Sequence, residues 1–554
     1  MVDQRLTREA VAHIEIGSTA ISKLLSWLLS CVFLLTVFLV PIVQYQIENH
    51  GSQSSTMAGW SFLFQESEGT FVSRITSKNT QFLERLDQLE TNVEENSFLR
   101  SFFLPPLQKF YLDALGQGNE KVVVGDDGWL FFRPGVDSLS GPAFLDKEQL
   151  QSRVEGHELW EKSVQPDPVK AIVDFKNQLS RRGIQLIVLP VPVKPSVHAE
   201  QLSGYNFTAP PVNRDWTNFL KKLVENDVTV FDSRSFLYDY AQKYGAAFLK
   251  TDTHWLPGAM DLVASELATR VLSYFPELES STNFTLQQQV VEAEGDVARM
   301  LTLPQTNESF LQSVTVEQVV SGGNELWLPA TDSEILLLGD SFTNIYSTVG
   351  LGWGRSGGFA EHLSYHLQYP VDVLSRNDSG AFVTREMLGL ELARGRDRLA
   401  GKKVVIWEFA ERELTHGDWK MIDLSLGTPP ESGFLVIESG QQIDLQGIVA
   451  AVSKSPRPGS VPYRDNLLTV HLVDLKGKKD GLTGDQALIY VFGMKDNELT
   501  DFAGLRPGDQ IDITLSAWED VEGDYGSYRR SPLDDEMIEL ELPNWGTLNN
   551  DKKN

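Results

Sequence analysis

Four textures of apolar and polar residues succeed one another along this chain. Residues 24–43 form twenty positions without a charge, about enough for a helix to cross ~30 Å of hydrocarbon. Only Ser26, Ser30 and Thr36 interrupt the run, too few to make the polar stripe of a soluble helix. The arm before it is long for a signal peptide and no small-residue cleavage pattern follows, so an uncleaved anchor is expected. Phe82, Leu83, Leu86 and Leu89, then Phe103, Leu107 and Leu112, recur at helical spacing and predict a stalk. KVVVGDDGWLFF, Lys121 to Phe132, has two apolar runs around a Gly-Asp-Asp-Gly turn and reads as a β-hairpin.

From Asp167 onward, helical patterns alternate with short buried runs. Helices are expected over residues 169–179, 216–224, 236–244, 258–272 and 383–399, and strands over 184–189, 228–231, 248–249, 335–338, 371–374 and 403–406. That alternation is the signature of β–α–β crossovers and a parallel sheet. Residues 275–331 are polar and Gln-rich and read as an insertion or lid. Past Pro429 five or six alternating runs, ending in MIELELP, replace the helices, so residues 434–543 are expected to form a small β-barrel or sandwich. The expected organisation is thus an arm (1–23), an anchor (24–43), a helical stalk (44–118), an α/β domain (119–428) and a β-rich domain (429–554).

Charge and cysteine usage narrow the functions open to such a chain. The balance of 48 basic against 76 acidic residues, net -28, argues against broad nucleic-acid binding. Cys31, the only cysteine, lies inside the apolar run, so the body has neither disulfide nor catalytic thiolate. Arg5, Arg8 and Lys23 precede the run and the next basic residue is Arg74, a bias that places the N-terminus inside and the large body outside the cell membrane.

Candidate chemistry centres on the run EILLLGDS, Glu334 to Ser341. An apolar strand stopping at a small-residue turn delivers a hydroxyl where open α/β sheets keep their active sites. Ser341 is therefore a candidate nucleophile. His254, in the segment TDTHW and two residues from Asp252, is the candidate base, with Asp252 as its orienting carboxylate. Spacing alone leaves open that these three instead cap turns and satisfy the core.

Lys194 in VPVKP and Arg355 in the Gly-rich loop after Ser341 are candidate substrate contacts, and Trp255 and Trp407 candidate stacking platforms. Glu408 and Arg412 are spaced for a local ion pair. No cofactor or metal is called for: Asp252, His254 and His198 lack a supporting ligand pair, and His362 and His366 at i, i+4 read as two solvated histidines on an amphipathic helix. The glycines at 350, 352 and 354 do not make a dinucleotide fingerprint.

TDTHW and LLLGDSF, with GDDGWLFF, VPVKP and WEFAERE, resemble the SGNH-hydrolase-like proteins of the alginate O-acetylation machinery, the AlgJ/AlgX type, across residues 121–424. The Asp-x-His segment preceding the serine, the reverse of the usual SGNH order, is shared with that family. The resemblance implies an SGNH-like parallel sheet flanked by helices. It also implies an acetyl-accepting Ser341, His254 as general base and Asp252 as its partner, without a cofactor. By the same resemblance the body faces the periplasm from a single-pass inner-membrane anchor. The expected partners are a polysaccharide acceptor such as alginate, a multi-span membrane acyltransferase supplying acetyl groups, and other polysaccharide-biosynthesis proteins. A polysaccharide acetylesterase with the same triad and a non-catalytic glycan-binding scaffold, using a carbohydrate-binding β-domain, are the alternatives.

Overall fold

The computed structural model describes residues 22–50, 97–156, 163–205, 207–278, 280–304, 310–377, 380–428, 433–456, 463–477, 484–505, 507–533 and 537–548, with isolated positions between. Most of the expected stalk and the basic arm lie outside these residues. The chain divides into a unit ending at Leu104 and a unit beginning at Pro105. In the first, one continuous helix runs Lys23–His50. Its stretch Lys23–Val40 is long and apolar enough to cross a membrane and is nowhere buried.

The second unit opens with the expected hairpin, β1 (Val122–Val124) against β2 (Leu130–Phe132). Asp127 and Gly128 sit at positive φ in its turn, which explains why the four-residue turn is rich in Asp and Gly. The α/β core is a five-stranded parallel sheet of β3 (Gln185–Val191), β4 (Thr229–Val230), β7 (Ile335–Gly339), β8 (Asp372–Ser375) and β9 (Val404–Ala410). Its order is β4-β3-β9-β7-β8. β7 and β9 are buried along their whole length, as befits unbroken apolar runs covered by helices on both faces. One face packs on Pro257–Tyr274 and Phe359–Leu367, the other on Pro168–Ser180, Trp216–Glu225 and Val383–Ala393.

Three expectations need correction. Phe248 and Leu249 add no strand to the sheet; Phe248 makes a single antiparallel bridge to Trp255 across the tight turn that carries TDTHW. The polar stretch after Phe275 is no mere insertion: β5 (Thr285–Glu294) and β6 (Leu311–Val320) pair over ten residues, with Val314, Val316 and Val319 in the core. Alternation with exposed Gln and Glu masked this ribbon, because only one of its faces is buried. The helix begun at Val383 stops at Ala393 rather than Leu399.

The C-terminal β-rich domain is a closed barrel. Strands β10 (Gln442–Val452), β11 (Asn466–Gly477), β12 (Gln486–Lys495), β14 (Gln510–Ala517) and β16 (Pro543–Leu548) pair in the cycle β10-β11-β12-β16-β14. Every contact in the cycle is antiparallel except β12–β16. That connectivity is the five-stranded Greek-key barrel called the OB-fold. The short strands β13 (Glu498–Leu499) and β15 (Arg529–Ser531) flank it. MIELELP, expected as the last strand, makes only a turn at Ile538–Leu540, and the barrel closes instead through the following PNWGTL. Inside lie Leu468, Val470, Leu472, Ile489, Val491, Ile511, Ile513 and Leu515.

Candidate active site

The buried strand β7 ends at Gly339, and the chain turns at once into a one-turn helix, Ser341–Asn344. A side chain at Gly339 would collide with Thr343 Oγ1 at 2.2 Å, so the tight turn requires glycine there. Asp340 holds the turn from both ends: Oδ1 accepts from the Phe342 N–H at 2.8 Å and Oδ2 from the Ala410 N–H at 2.8 Å. Beneath it lies Glu408, whose Oε2 accepts from the Asp340 N–H at 2.9 Å and from Thr343 Oγ1 at 2.8 Å. Burial, then the nearby Asp340 charge, pushes the Glu408 carboxyl well above the ordinary range. The ion pair expected with Arg412 does not form; Arg412 instead lies over the Phe132 ring, 5.5 Å from its centroid.

The turn carrying Asp252 and His254 meets Ser341 directly. His254 Nε2 is 2.8 Å from Ser341 Oγ, and Nδ1 is 2.7 Å from Asp252 Oδ1. A carboxylate only accepts, so Nδ1 carries the proton and Nε2 is left to receive one from the serine. All three side chains are buried. Asp252 and His254 sit on a tight turn rather than an extended strand; the same Oδ1 also accepts the His254 N–H at 3.0 Å, closing the turn around the carboxylate.

Asp252 Oδ2 accepts from Trp353 Nε1 and from the Asp296 N–H, each at 2.9 Å. Burial alone would raise the Asp252 carboxyl, but the His254 charge and hydrogen bond, the Asp296 N–H and the Arg299 charge outweigh it and the net shift is downward. Burial likewise opposes a charged His254; the Asp252 charge and hydrogen bond prevail, with Asp296 and Asp340 adding to them, and the imidazole is shifted upward.

Sequence reasoning missed Trp353, Asp296 and Glu408 as parts of this site. The signal for Trp353 was a large aromatic among five glycines in GLGWGRSGG, where a loop offers no other reason to bury one. Asp296 lay in the segment read as an insertion. Its carboxylate oxygens stand 3.9 Å from His254 Nδ1 and 2.7 Å from the Thr253 N–H. Burial and the Asp252 charge raise its carboxyl. Asp252, His254 and Asp296 are close enough together to hold a cation, but an ion on His254 Nδ1 would move the ring proton to Nε2, the nitrogen that faces Ser341.

Three of the four expected substrate contacts are internal. Lys194 is buried, and its ammonium donates to the carbonyls of Leu130 at 2.6 Å, Lys250 at 2.9 Å and Asp252 at 3.0 Å, which occupies all three of its protons. It also lies 5.1 Å and 5.2 Å from the Trp129 and Phe131 ring centroids. Burial pulls its pKa down to about 7. Trp255 is fully buried against Phe342 and Phe359, and Trp407 against Phe175, Phe409 and Trp419 on the opposite face of the sheet. Arg355 alone is exposed, in the loop after Ser341. His198 is no ligand: Nε2 accepts from the Ala247 N–H at 3.1 Å, and burial drives its pKa down to about 3.

The match to known proteins follows this geometry. A family model described as the SGNH hydrolase-like domain of the acetyltransferase AlgX matches residues 122–411, more than half of the chain. The chain belongs to that family. The matched segment of this AlgX-family chain holds the hairpin, the whole parallel sheet, Asp252, His254 and Ser341, and stops at the end of WEFAE.

The "Probable alginate O-acetylase AlgJ" of Pseudomonas aeruginosa is 23% identical over 313 residues, covering 54% of this chain and 71% of the relative. The protein of the same description in Pseudomonas putida is 25% identical over 312 residues, with the same coverage of 54% and 71%. Among solved structures, the O-acetyltransferase domain of Pseudomonas putida AlgJ aligns at 21% identity with a TM-score of 0.39, covering 53% of this chain and 92% of that one. Pseudomonas aeruginosa AlgX aligns at 18% identity with a TM-score of 0.40, covering 73% and 92%.

Proposed function

We propose that this protein is an O-acetyltransferase that carries an acetyl group on Ser341 and passes it to a hydroxyl of an extracytoplasmic, alginate-like polysaccharide. The observation that carries this reading is the unbroken line Asp252 Oδ1–His254–Ser341 Oγ, at 2.7 Å and 2.8 Å, in a chain of the AlgX family. His254 Nε2 takes the proton from Ser341 Oγ as the oxygen attacks the acetyl carbonyl, and returns it to the leaving group of the donor. The Ser341 N–H, at the start of the helical turn, is the backbone donor assigned to the developing oxyanion. In the second half-reaction a sugar hydroxyl gives its proton to the same nitrogen and attacks the acetyl-serine ester, and the proton returns to Ser341.

Arg355, exposed on the loop after the nucleophile, is assigned to contact the acceptor. The anchoring role of Lys23–Val40 and the Lys and Arg bias before it support a periplasmic body held at the inner membrane, beside a multi-span acyltransferase that delivers acetyl groups.

Full-length protein supplied with an activated acetyl ester and oligouronates tests the proposal. The expected product is an acetylated oligomer, lost in Ser341→Ala. Release of acetate alone at an unchanged rate, with and without the oligomer, would make the protein an esterase instead.

A further inference from the structure

His362 and His366, which the sequence reading left solvated on a helix face, are turned inward. Both reach the same carboxylate oxygen on the neighbouring helix: Asp261 Oδ1 is 2.7 Å from His362 Nδ1 and 2.6 Å from His366 Nε2. The two histidines share a face of Phe359–Leu367 because they are four residues apart, and Asp261 faces them from Pro257–Tyr274. We propose that Asp261, His362 and His366 form a binding site for a divalent transition-metal ion of the zinc class, pinning these two helices together.

The surroundings of His362 favour an ion over a simple hydrogen-bonded cluster. Its Nε2–H donates to the Glu317 carbonyl at 2.9 Å, so that nitrogen is committed as a donor. This is the support that metal-bound histidines characteristically have, a backbone carbonyl on the far nitrogen fixing which nitrogen faces the metal. The other nitrogen of this ring, whose side chain is only 2% exposed, faces Asp261, and His366 turns its Nε2 to the same oxygen, so three potential ligand atoms converge on one point.

One divalent ion meets all three groups. The donor atoms already lie within 4.8 Å of one another. Bonds of about 2.0–2.2 Å to two imidazole nitrogens and a carboxylate oxygen place ligand atoms roughly 3.3 Å apart, so each oxygen–nitrogen contact opens by roughly 0.6 Å to admit the ion. Two histidines and a carboxylate suit zinc, cobalt(II) or nickel(II) and are a poor set for calcium or magnesium. Asp261 and His366 keep side-chain exposures of 32% and 21%, which leaves the remaining coordination position to water.

The position gives such an ion a consequence for the active site. Helix Pro257–Tyr274 follows the His254 turn directly, and helix Phe359–Leu367 follows the loop that carries Trp353. Joining the two helices fixes the segments that bring base and nucleophile together.

The test uses full-length protein in detergent, stripped with a chelator, dialysed, and titrated with Co2+ and then Zn2+. One equivalent of Co2+ is expected to give the visible absorption of a four-coordinate nitrogen/oxygen site, to be displaced by Zn2+, and to raise the melting temperature. His366→Gln and Asp261→Asn are expected to weaken binding at least ~100-fold. A cooperative thermal melt followed by far-UV circular dichroism reports that each variant is folded, and an Asp296→Asn variant that keeps the Co2+ absorption separates this site from the Asp252–His254–Asp296 group. Absence of the absorption together with a Zn2+ affinity weaker than about 10 µM in the unaltered protein would overturn the proposal, as would binding unchanged in both variants.

Discussion

Trp353 shows how much of this site rests on a single hydrogen bond. Its indole N–H is one of two donors on the Asp252 oxygen that His254 does not use. A bond to a charged acceptor contributes about 1.5–3 kcal/mol, so Trp353→Phe should lower the melting temperature and, by loosening Asp252, lower kcat/KM by roughly 10- to 100-fold. Steady-state ester turnover and a melting curve measured together would check this; an unchanged rate would make the bond incidental.

Asp296 acts at the same scale but through charge. His254 must be neutral to accept the serine proton, and its pKa is raised above 6.5, so activity should rise with pH through that raised value. For stability the sign is opposite: the raised value favours the folded state below 6.5, and that contribution disappears as pH climbs through the folded value. Asp296→Asn removes one of the charges that raise it, and the acidic limb of the pH–rate profile should move to lower pH. A limb that stays in place would remove Asp296 from the proton balance.

The elements of the α/β core were legible because buried parallel strands are continuous apolar runs that tolerate no other reading. EILLLGDS, LIVLPV and VVIWEF could be placed before any coordinate, and with them the position of Ser341. The pairing of Asp252 with His254 was legible only as spacing, since the turn that orients them depends on backbone bonds made by Asp252 itself. Lys194 was misread for a physical reason: a lysine between prolines resembles a solvent-facing contact, and nothing local reveals that three carbonyls converge on it. Those carbonyls come from the hairpin and from the Asp252 turn, so Lys194 ties GDDGWLFF and VPVKP to TDTHW. Lys194→Met would leave the Leu130 and Asp252 carbonyls without this donor, at about 1–3 kcal/mol each, while the Lys250 carbonyl keeps the Leu130 N–H. It should therefore lower stability by about 2 kcal/mol or more in thermal or urea unfolding. An unaltered midpoint would contradict the assigned role.

Across the second unit, the barrel is joined to the α/β fold by contacts that no periodicity foretold. The outward face of β11, β12 and β16 carries Leu467, Tyr490, Phe492 and Trp545, and the β14–β16 connection covers it with Trp518 and Tyr525. These rings are buried on one another rather than offered as a platform for sugar. The run RGRDR, taken in sequence as the end of a helix, reaches the same connection: Arg394 donates to the Glu539 carbonyl at 2.6 Å, and Arg396 and Arg398 pair with Glu519 at 3.3 Å and Glu522 at 3.5 Å. The loop that holds Trp353 also abuts the barrel. A side chain at Gly350 would lie 2.7 Å from Asp465 Oδ2 and 3.8 Å from Tyr528. Gly350→Leu should therefore displace this loop and lower turnover about tenfold, while near-UV circular dichroism and the melting temperature change little. Full activity in that variant would show that the barrel does not brace the site.

The most direct test of the central claim is mass detection of an acyl adduct after incubating the full-length protein with an activated acetyl ester. One added acetyl group is expected, located on Ser341 by peptide mapping, and lost in both Ser341→Ala and His254→Ala. An acetyl group found on another residue, or equal labelling of Ser341 when His254 is absent, would contradict it.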